Sequence, residues 1–401
     1  MRPPVAELLP IADAQRLILE RCRPLPPESV PIEEAAGRVL AEPALAVVDL
    51  PPFASSAMDG FAIRAADTPG QLAVVDHAAA GKPAKLALEP HRAIGIATGA
   101  AVPTGADAVV PIEDVVERDN EVAIRQTVAR GANVRPRGGD VRAGDVVVAA
   151  GERLTPARLG AIAAAGIAES RCVRRPRAAV VPTGTELRRP GDALRAGEVY
   201  EANGLILATQ LSAAGAAVER FPAVGDDEEE HRKALGRALE ADIAVTSGGV
   251  SVGPHDLVRR VEAELGVEEV FWRVAVKPGK PISFGVRGET LVFGLPGNPV
   301  SALVGFELFV RPAVLALQGV PDPLPAFEPG RLAVARRRNP VRDELIRARL
   351  RVDGGGVVLE PLGRQESHMI VRAAGADALV FIPRGEGELA PGSVVDYLRL
   401  G

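Results

Sequence analysis

Ile243-Ala-Val-Thr-Ser-Gly-Gly-Val-Ser-Val-Gly253 and Thr290-Leu-Val-Phe-Gly-Leu-Pro-Gly-Asn-Pro-Val-Ser-Ala302 share one layout: an apolar strand-like run, a glycine turn, then the opening of a helix-like run. Asp256 follows the first turn, and Lys277-Pro-Gly-Lys-Pro281 lies between the two. Backbone N–H groups freed by glycine turns at helix starts bind anions, and two nearby lysines add positive charge. The block suits a phosphate or a small oxyanion, although the first turn taken alone reads equally as a tight packing turn.

Working outward, strand-like and helix-like runs alternate at 178–182, 205–214, 218–224, 226–240 and 243–246. Such alternation builds a parallel sheet with helices on both faces and places ligands at the carboxyl ends of the strands, where both glycine turns fall. A proline-rich stretch at 321–329 reads as a linker, and apolar runs at 345–352, 357–362 and 378–382 predict a small β domain beyond it. Upstream, Ile11, Ala14, Leu17, Ile18 and Cys22 share one helical face, and a shorter helical pattern covers 32–40. Thr155-Pro156 reads as N-cap and first residue of a helix that Gly166 ends. These helices are expected to pack together, which makes the segment between them an insertion. The insertion alternates short β-like runs with turns at 72–76, 93–97, 108–111 and 115–124, the last folded at Asp119-Asn120. Ser55 to Ala62 and Thr98 to Gly105 depart from the alternation and read as loops. The expected domains are a split helical domain (1–47 plus 141–176), an inserted mainly β domain (48–140), an α/β domain (177–322) and a C-terminal β domain (323–401).

A chain of 401 residues, 47% hydrophobic and 25% charged, can bury several cores. Its net charge of -5 and the lack of a long basic run argue against duplex nucleic acid or an anionic membrane as a partner. The most apolar helical stretch, 300–317, carries Glu307, Arg311 and Pro312, so no membrane span is expected. Two cysteines without a Cys-x-x-Cys pair argue against a disulfide framework and a structural zinc site, and fit a reducing cytoplasm.

Several residues carry two readings. Asp226 and Asp256 each serve as a helix cap or, converging with Glu186, as oxygen ligands for Mg2+ beside phosphates. Lys277 and Lys280, held three residues apart by proline and glycine, favour anion binding over a solvated loop. Asn298 and Pro299 open a helix with the Ser301 hydroxyl at its mouth. Asp59 reads as an Asx-type turn or as a site carboxylate.

Together these strings resemble the MoeA family of molybdopterin molybdenumtransferases, which includes the E domain of gephyrin. The resemblance rests on Ser56-Ala-Met-Asp-Gly-Phe-Ala62, Thr98-Gly-Ala with Asp107-Ala-Val-Val110, Arg137-Gly-Gly-Asp140, Ser247 to Gly253, Lys277 to Pro281 and Gly294 to Ser301, in that order. It implies a multidomain α/β and β fold: an α/β parallel-sheet domain resembling molybdopterin adenylyltransferases, a split helical domain with an inserted β domain, and a C-terminal β-barrel-like domain. The implied reaction takes adenylylated molybdopterin and molybdate, with Mg2+, and releases AMP. The implied assembly is a homodimer whose cleft is shared between subunits, with molybdopterin adenylyltransferase and apo-molybdoenzymes as further partners.

Carried over residue by residue, the resemblance implies catalytic roles for Asp59, Thr98, Asp140, Glu186 and Asp256, and metal ligation by Asp226, Asp256 and Glu186. It implies substrate contacts at Ser247, Gly248, Gly249, Ser251, Gly253, Pro296, Gly297, Asn298 and Pro299. Lys277, Lys280, Pro281, Ser301, Arg347 and Ser367 are the implied molybdate residues. Two departures bear on the metal: Thr183-Gly-Thr-Glu-Leu187 has Thr185 where the family has an acid, and Tyr200-Glu-Ala-Asn203 has Glu201 where it has Asp. The alternatives are adenylyltransferase activity, a generic nucleotide hydrolase, or an inactive scaffold.

Overall fold

A computed structural model describes residues 8–249 and 257–400. Ser251, Gly253 and Asp256 therefore lie outside the described residues. The chain forms two units, one of the residues through Glu28 with those from Val173 onward, the other Ser29–Cys172.

The first unit contains the expected α/β sheet, six strands in the order Ala217–Arg220, Arg177–Pro182, Ile243–Ser247, Thr290–Leu295, Ser283–Arg287 and Glu268–Trp272. The first four run parallel, and Ser283–Arg287 is antiparallel to both of its neighbours. Ile243–Ser247 is buried at every position, as a central strand covered on both faces must be. Its side chains alternate between two cores. Val245 joins Val180, Leu207 and Phe293 on one face, while Ala244 joins Val181, Phe221 and Leu239 on the other. The register sets Pro182 opposite Ser247 and Ser247 opposite Leu295, so three carboxyl ends finish level.

Asp242 anchors the other end of the central strand. Its carboxylate accepts from both terminal nitrogens of Arg174 at 2.8 and 2.9 Å and from the Arg177 backbone N–H at 2.7 Å. Burial raises the Asp242 pKa, but the Arg174 and backbone hydrogen bonds outweigh it and hold the carboxyl below its ordinary value. A carboxylate depressed in the native state stabilises the fold above the unfolded pKa, about 3.9, and loses that contribution as pH falls through the native value. Asp242→Asn is expected to lower stability by about 2 kcal/mol at pH 6. That difference should shrink below about pH 4, and urea midpoints across pH check it.

The helix Ile11–Leu19 belongs to the first unit, whereas the other early helical segments it was expected to join belong to the second. Its Ala14 and Ile18, with Cys22, enter the α/β core beside Phe309 and Val314. The reason is local. Residues 299–317 run as Pro299–Gly305, a π-helical turn Phe306–Val310, and Arg311–Leu317. Pro312 has no N–H to offer Leu308, and the Gln15 side-chain amide donates to that carbonyl at 3.0 Å instead. Glu307, in the same turn, accepts from Gln210 and Arg311. By length and composition this helical run could cross a membrane, but 78% of it is buried in the protein.

The C-terminal strands close into a five-stranded barrel, as expected: Asp343–Asp353, Gly356–Pro361, Glu328–Leu332, Val394–Arg399 and Ala378–Ile382, the last pairing back to the first. Leu332, Ile346, Leu359, Val380 and Tyr397 fill it. Val276–Lys277, from the α/β portion, adds a short parallel strand to Asp343–Asp353, with Lys277 opposite Glu344.

The second unit has a six-stranded sheet in the order Ala108–Pro111, Gly60–Ile63, Arg92–Ile96, Gly70–Ala78, Glu121–Ile124 and Val115–Arg118. Asp119 and Asn120 take positive φ, 45° and 67°, in the expected hairpin turn. Gly60–Ile63 is a wholly buried strand rather than the expected loop. A Cβ at Gly60 would stand 1.9 Å from the Val110 carbonyl oxygen, so only glycine allows this pairing. The pattern at 32–40 forms a single 3-10 turn, Ile32–Glu34, not an α-helix. Thr155 caps Pro156–Ala164 as read, and Ile162 of that helix packs with Val30, Ala35 and Leu40. Neither cysteine forms a disulfide and both are buried, and burial pushes the Cys22 thiol up to about 12.

Candidate active site

The level carboxyl ends of the central strands open onto a cleft of about 790 Å³. Each wall follows from its turn. Thr183 donates its backbone N–H to the Ser247 carbonyl, and Gly248 donates its own to the Leu295 carbonyl, so the three strand ends are stitched together. Gly248 and Gly249 then leave the strand at φ 99° and 64°. A Cβ at Gly248 would lie 2.4 Å from the Thr183 carbonyl oxygen, and one at Gly249 would lie 2.4 Å from Val258 Cγ2. Glycine is thus required at both positions.

Asn203, at the start of the helix Asn203–Ala213, joins the two glycine turns: its Nδ2 donates to Ser247 Oγ at 2.8 Å and to the Gly297 carbonyl at 2.7 Å. Beside it Glu201 Oε1 accepts the Gly204 N–H at 2.6 Å, closing the first turn of that helix. Glu201, where the family has a shorter acid, is therefore engaged as a cap while still lining the cleft.

Glu186 and Asp226 line the same cleft on neighbouring segments, joined by the Thr183–Val224 bridge and the Gly184 N–H to Val224 carbonyl bond. The adjoining helix is capped by Asp227, whose side chain accepts from Glu230 N at 2.8 Å. The cap reading of Asp226 is thereby corrected, and its exposed carboxylate is left to the cleft. The described residues hold no group of three or more metal-ligating side chains. Two carboxylates on adjacent segments still fit Mg2+, which commonly takes one or two carboxylates plus substrate phosphates and water.

Pro281, Pro296, Gly297, Asn298 and Pro299 complete the wall. Asn298 occupies the N-cap position but makes no side-chain cap bond. It donates instead to Ser367 Oγ at 3.0 Å, while the Ser367 carbonyl accepts the Val300 N–H at 3.0 Å. The barrel thus supplies the helix cap, and it adds His368 to the cleft lining. Ser301 is buried in the first turn of that helix.

The lysine loop lies against this helix: a Cβ at Gly279 would be 3.7 Å from the Ser301 carbonyl oxygen. Lys277 Nζ donates to Glu344 Oε1 at 2.7 Å, and Arg336 Nη2 donates to Glu344 Oε2 at 3.0 Å. Burial raises the Glu344 pKa, but the two cations outweigh it and hold the carboxyl below its usual range. Lys280 is exposed, with no acidic partner among the described residues.

Arg347 has a different task from the direct oxyanion contact expected of it. It is 1% exposed, and its guanidinium donates to the carbonyls of Arg364, Glu366 and Met369 and to Gln365 Oε1. It holds the loop that carries Ser367.

In the second unit Asp59 Oδ1 accepts the Thr98 N–H at 2.7 Å, and the Gly99 N–H reaches the Ser56 carbonyl. The two loop-like strings thus meet at one edge, with Asp59 and Thr98 exposed. Asp140 is exposed in a turn whose backbone N–H reaches the Leu50 carbonyl, and among the described residues no bond links its side chain to Asp59.

Sequence reasoning missed Asn203, Thr183, His231 and His368 as cleft residues, and had marked Glu201 only as a departure bearing on the metal. The Tyr200-Glu-Ala-Asn203 string held a signal for the first, since it falls where a helix meets the cleft. The histidines carried none.

Models of the MoeA N-terminal region (domain I and II), a probable molybdopterin binding domain and the MoeA C-terminal region (domain IV) match residues 9–166, 179–316 and 329–400. The chain belongs to the MoeA family. A relative from Mycobacterium tuberculosis (strain H37Rv), molybdopterin molybdenumtransferase 2, is 40% identical over 400 residues, covering 96% of this chain and 97% of its own. A molybdopterin molybdenumtransferase of Staphylococcus aureus (strain N315) is 31% identical, with 97% and 95% covered. The crystal structure of the molybdopterin biosynthesis moeA protein of Pyrococcus horikoshii OT3 superposes with a TM-score of 0.84 at 27% identity, covering 98% of this chain and all of that one. Membership in the MoeA family accounts for the α/β sheet followed by a closed barrel.

Proposed function

We propose that this chain is a molybdopterin molybdenumtransferase that inserts molybdenum from molybdate into adenylylated molybdopterin and releases AMP. The observation that carries the reading is the cleft itself: two glycine turns at level strand ends, clipped together by Asn203, with the Glu186 and Asp226 carboxylates and Pro281 of the lysine loop in its lining.

The turns present backbone N–H groups to the pyrophosphate bridge of the substrate, and Gly297 lets that bridge approach closely. Lys277 and Lys280 offset the repulsion between molybdate and an anionic substrate and hold molybdate near the dithiolene sulfurs. A water oxygen adds to the adenylyl phosphorus as the phosphoanhydride bond breaks, so AMP leaves and the other phosphate stays on the pterin. The two dithiolene thiols replace one molybdate oxygen, which leaves as water with their protons. Glu186 and Asp226 would hold Mg2+, which when bound supplies charge neutralisation at the phosphoryl oxygens. Asp59 and Thr98 contribute from a second copy of the chain in a homodimer, and the protein acts in the cytoplasm.

Incubating the protein with adenylylated molybdopterin and Mg2+ should release AMP only when molybdate is present. Asp226→Asn is expected to slow release by about 10²-fold. Mixed Asp59→Ala and Asp226→Ala copies should recover activity that neither has alone. AMP release indifferent to molybdate would reject the reading.

A further inference from the structure

Glu344 is a carboxylate only 4% exposed, on a barrel strand rather than on the lysine loop, and no sequence signal marks it. Both its oxygens are taken by cations, Lys277 from the α/β portion and Arg336 from the barrel. The parallel pairing of Val276–Lys277 with Asp343–Glu344 brings the two side chains opposite each other, so the ion pair is fixed by backbone register rather than by a chance surface encounter. The Lys277 side chain remains about half exposed, at 48%, and an ammonium with one N–H on Glu344 keeps two for a ligand.

We propose that Glu344 is a positioning residue of the oxyanion site: it fixes the Lys277 ammonium so that its remaining donors face the incoming oxyanion. The inference rests on the molybdate reading of this loop and deepens it. The charge balance favours positioning over simple repulsion. Arg336 neutralises the carboxylate from its other side, so the trio keeps one net positive charge and the oxyanion meets little field from Glu344. Removing the carboxylate leaves two cations facing each other, and the flexible lysine stem turns away. Misplacing a charged donor by an ångström costs far more than a neutralised carboxylate does at that range.

The test uses the full chain with Glu344→Gln and Glu344→Asp. AMP release is followed with molybdate varied at saturating adenylylated molybdopterin, then the reverse, and molybdate binding is measured by calorimetry. Glu344→Gln should raise the molybdate KM and Kd about tenfold, in line with the loss of one charge-assisted hydrogen bond, and leave the pterin KM within about twofold. Glu344→Asp keeps the charge but falls short by one methylene, and should return part of the affinity. A Lys277→Ala background should abolish the effect of Glu344→Gln. Wild-type molybdate affinity in Glu344→Gln, tighter binding, or an equal loss for both substrates would overturn the inference. A wild-type protein that neither binds molybdate nor needs it for AMP release would instead reject the functional reading beneath it. Should Glu344→Gln fail to fold, Arg336→Gln probes the same cluster from the other side: loss of molybdate affinity without change in the pterin KM supports the arrangement, and no change overturns it.

Discussion

Replacing Arg347 with alanine should cost about 3–5 kcal/mol of stability and nearly all molybdate-dependent turnover. The side chain is buried, and its removal leaves the carbonyls of Arg364, Glu366 and Met369 without their donor and opens a cavity of arginine size. Those carbonyls belong to the loop that delivers Ser367 to Asn298 and to the Val300 N–H. Stability and activity should therefore fall together, because the loop is tied both to the barrel and to the helix at the cleft wall. Arg347→Lys should recover only part, since an ammonium lacks the planar fork that reaches several carbonyls at once. Urea denaturation with AMP-release kinetics reads both effects. A variant with an unchanged urea midpoint would show that the guanidinium is not what orders the loop.

The second large effect separates two glycines in one cleft. Gly248→Ala forces a Cβ to within 2.4 Å of a backbone oxygen at φ 99°, so the turn must move, at an expected cost of about 2–4 kcal/mol. Turnover should fall by 10²-fold or more, because displaced turn N–H groups no longer meet the substrate, roughly the loss that follows removal of a preorganised donor. Gly297→Ala meets only Gly248 Cα, at an ordinary 3.6 Å, and should melt within about a degree of wild type. Its added methyl faces the cleft and should raise the KM for adenylylated molybdopterin. Equal stability losses in the two variants would contradict the geometry.

The contrast also shows what the sequence conveyed. Glycine turns after apolar runs were legible because backbone conformations that exclude side chains leave a mark in composition. The hairpin at Asp119-Asn120 and the Thr155 cap were legible for the same local reason. Gly60–Ile63 was not, since four buried residues beside a polar turn carry no period. The partner of Ile11–Leu19 was hidden because it depends on a carbonyl orphaned by Pro312 nearly three hundred positions away. In the site, residues inside glycine and lysine motifs could be named. Glu344, Asn203 and the supporting task of Arg347 arise from pairings between distant segments, and a linear pattern does not encode those.

The short strand Val276–Lys277 has a mechanical meaning. Residues 321–327 look like a tether on which the barrel could swing, yet the barrel takes in a strand from the neighbouring portion of the chain and returns Ser367 to cap one of its helices. These two attachments, far apart in sequence, hold the barrel to the sheet in addition to the tether. The barrel and the sheet should melt in a single transition, and cutting the tether should leave both fragments bound to one another, with the floor and rim of the cleft in register.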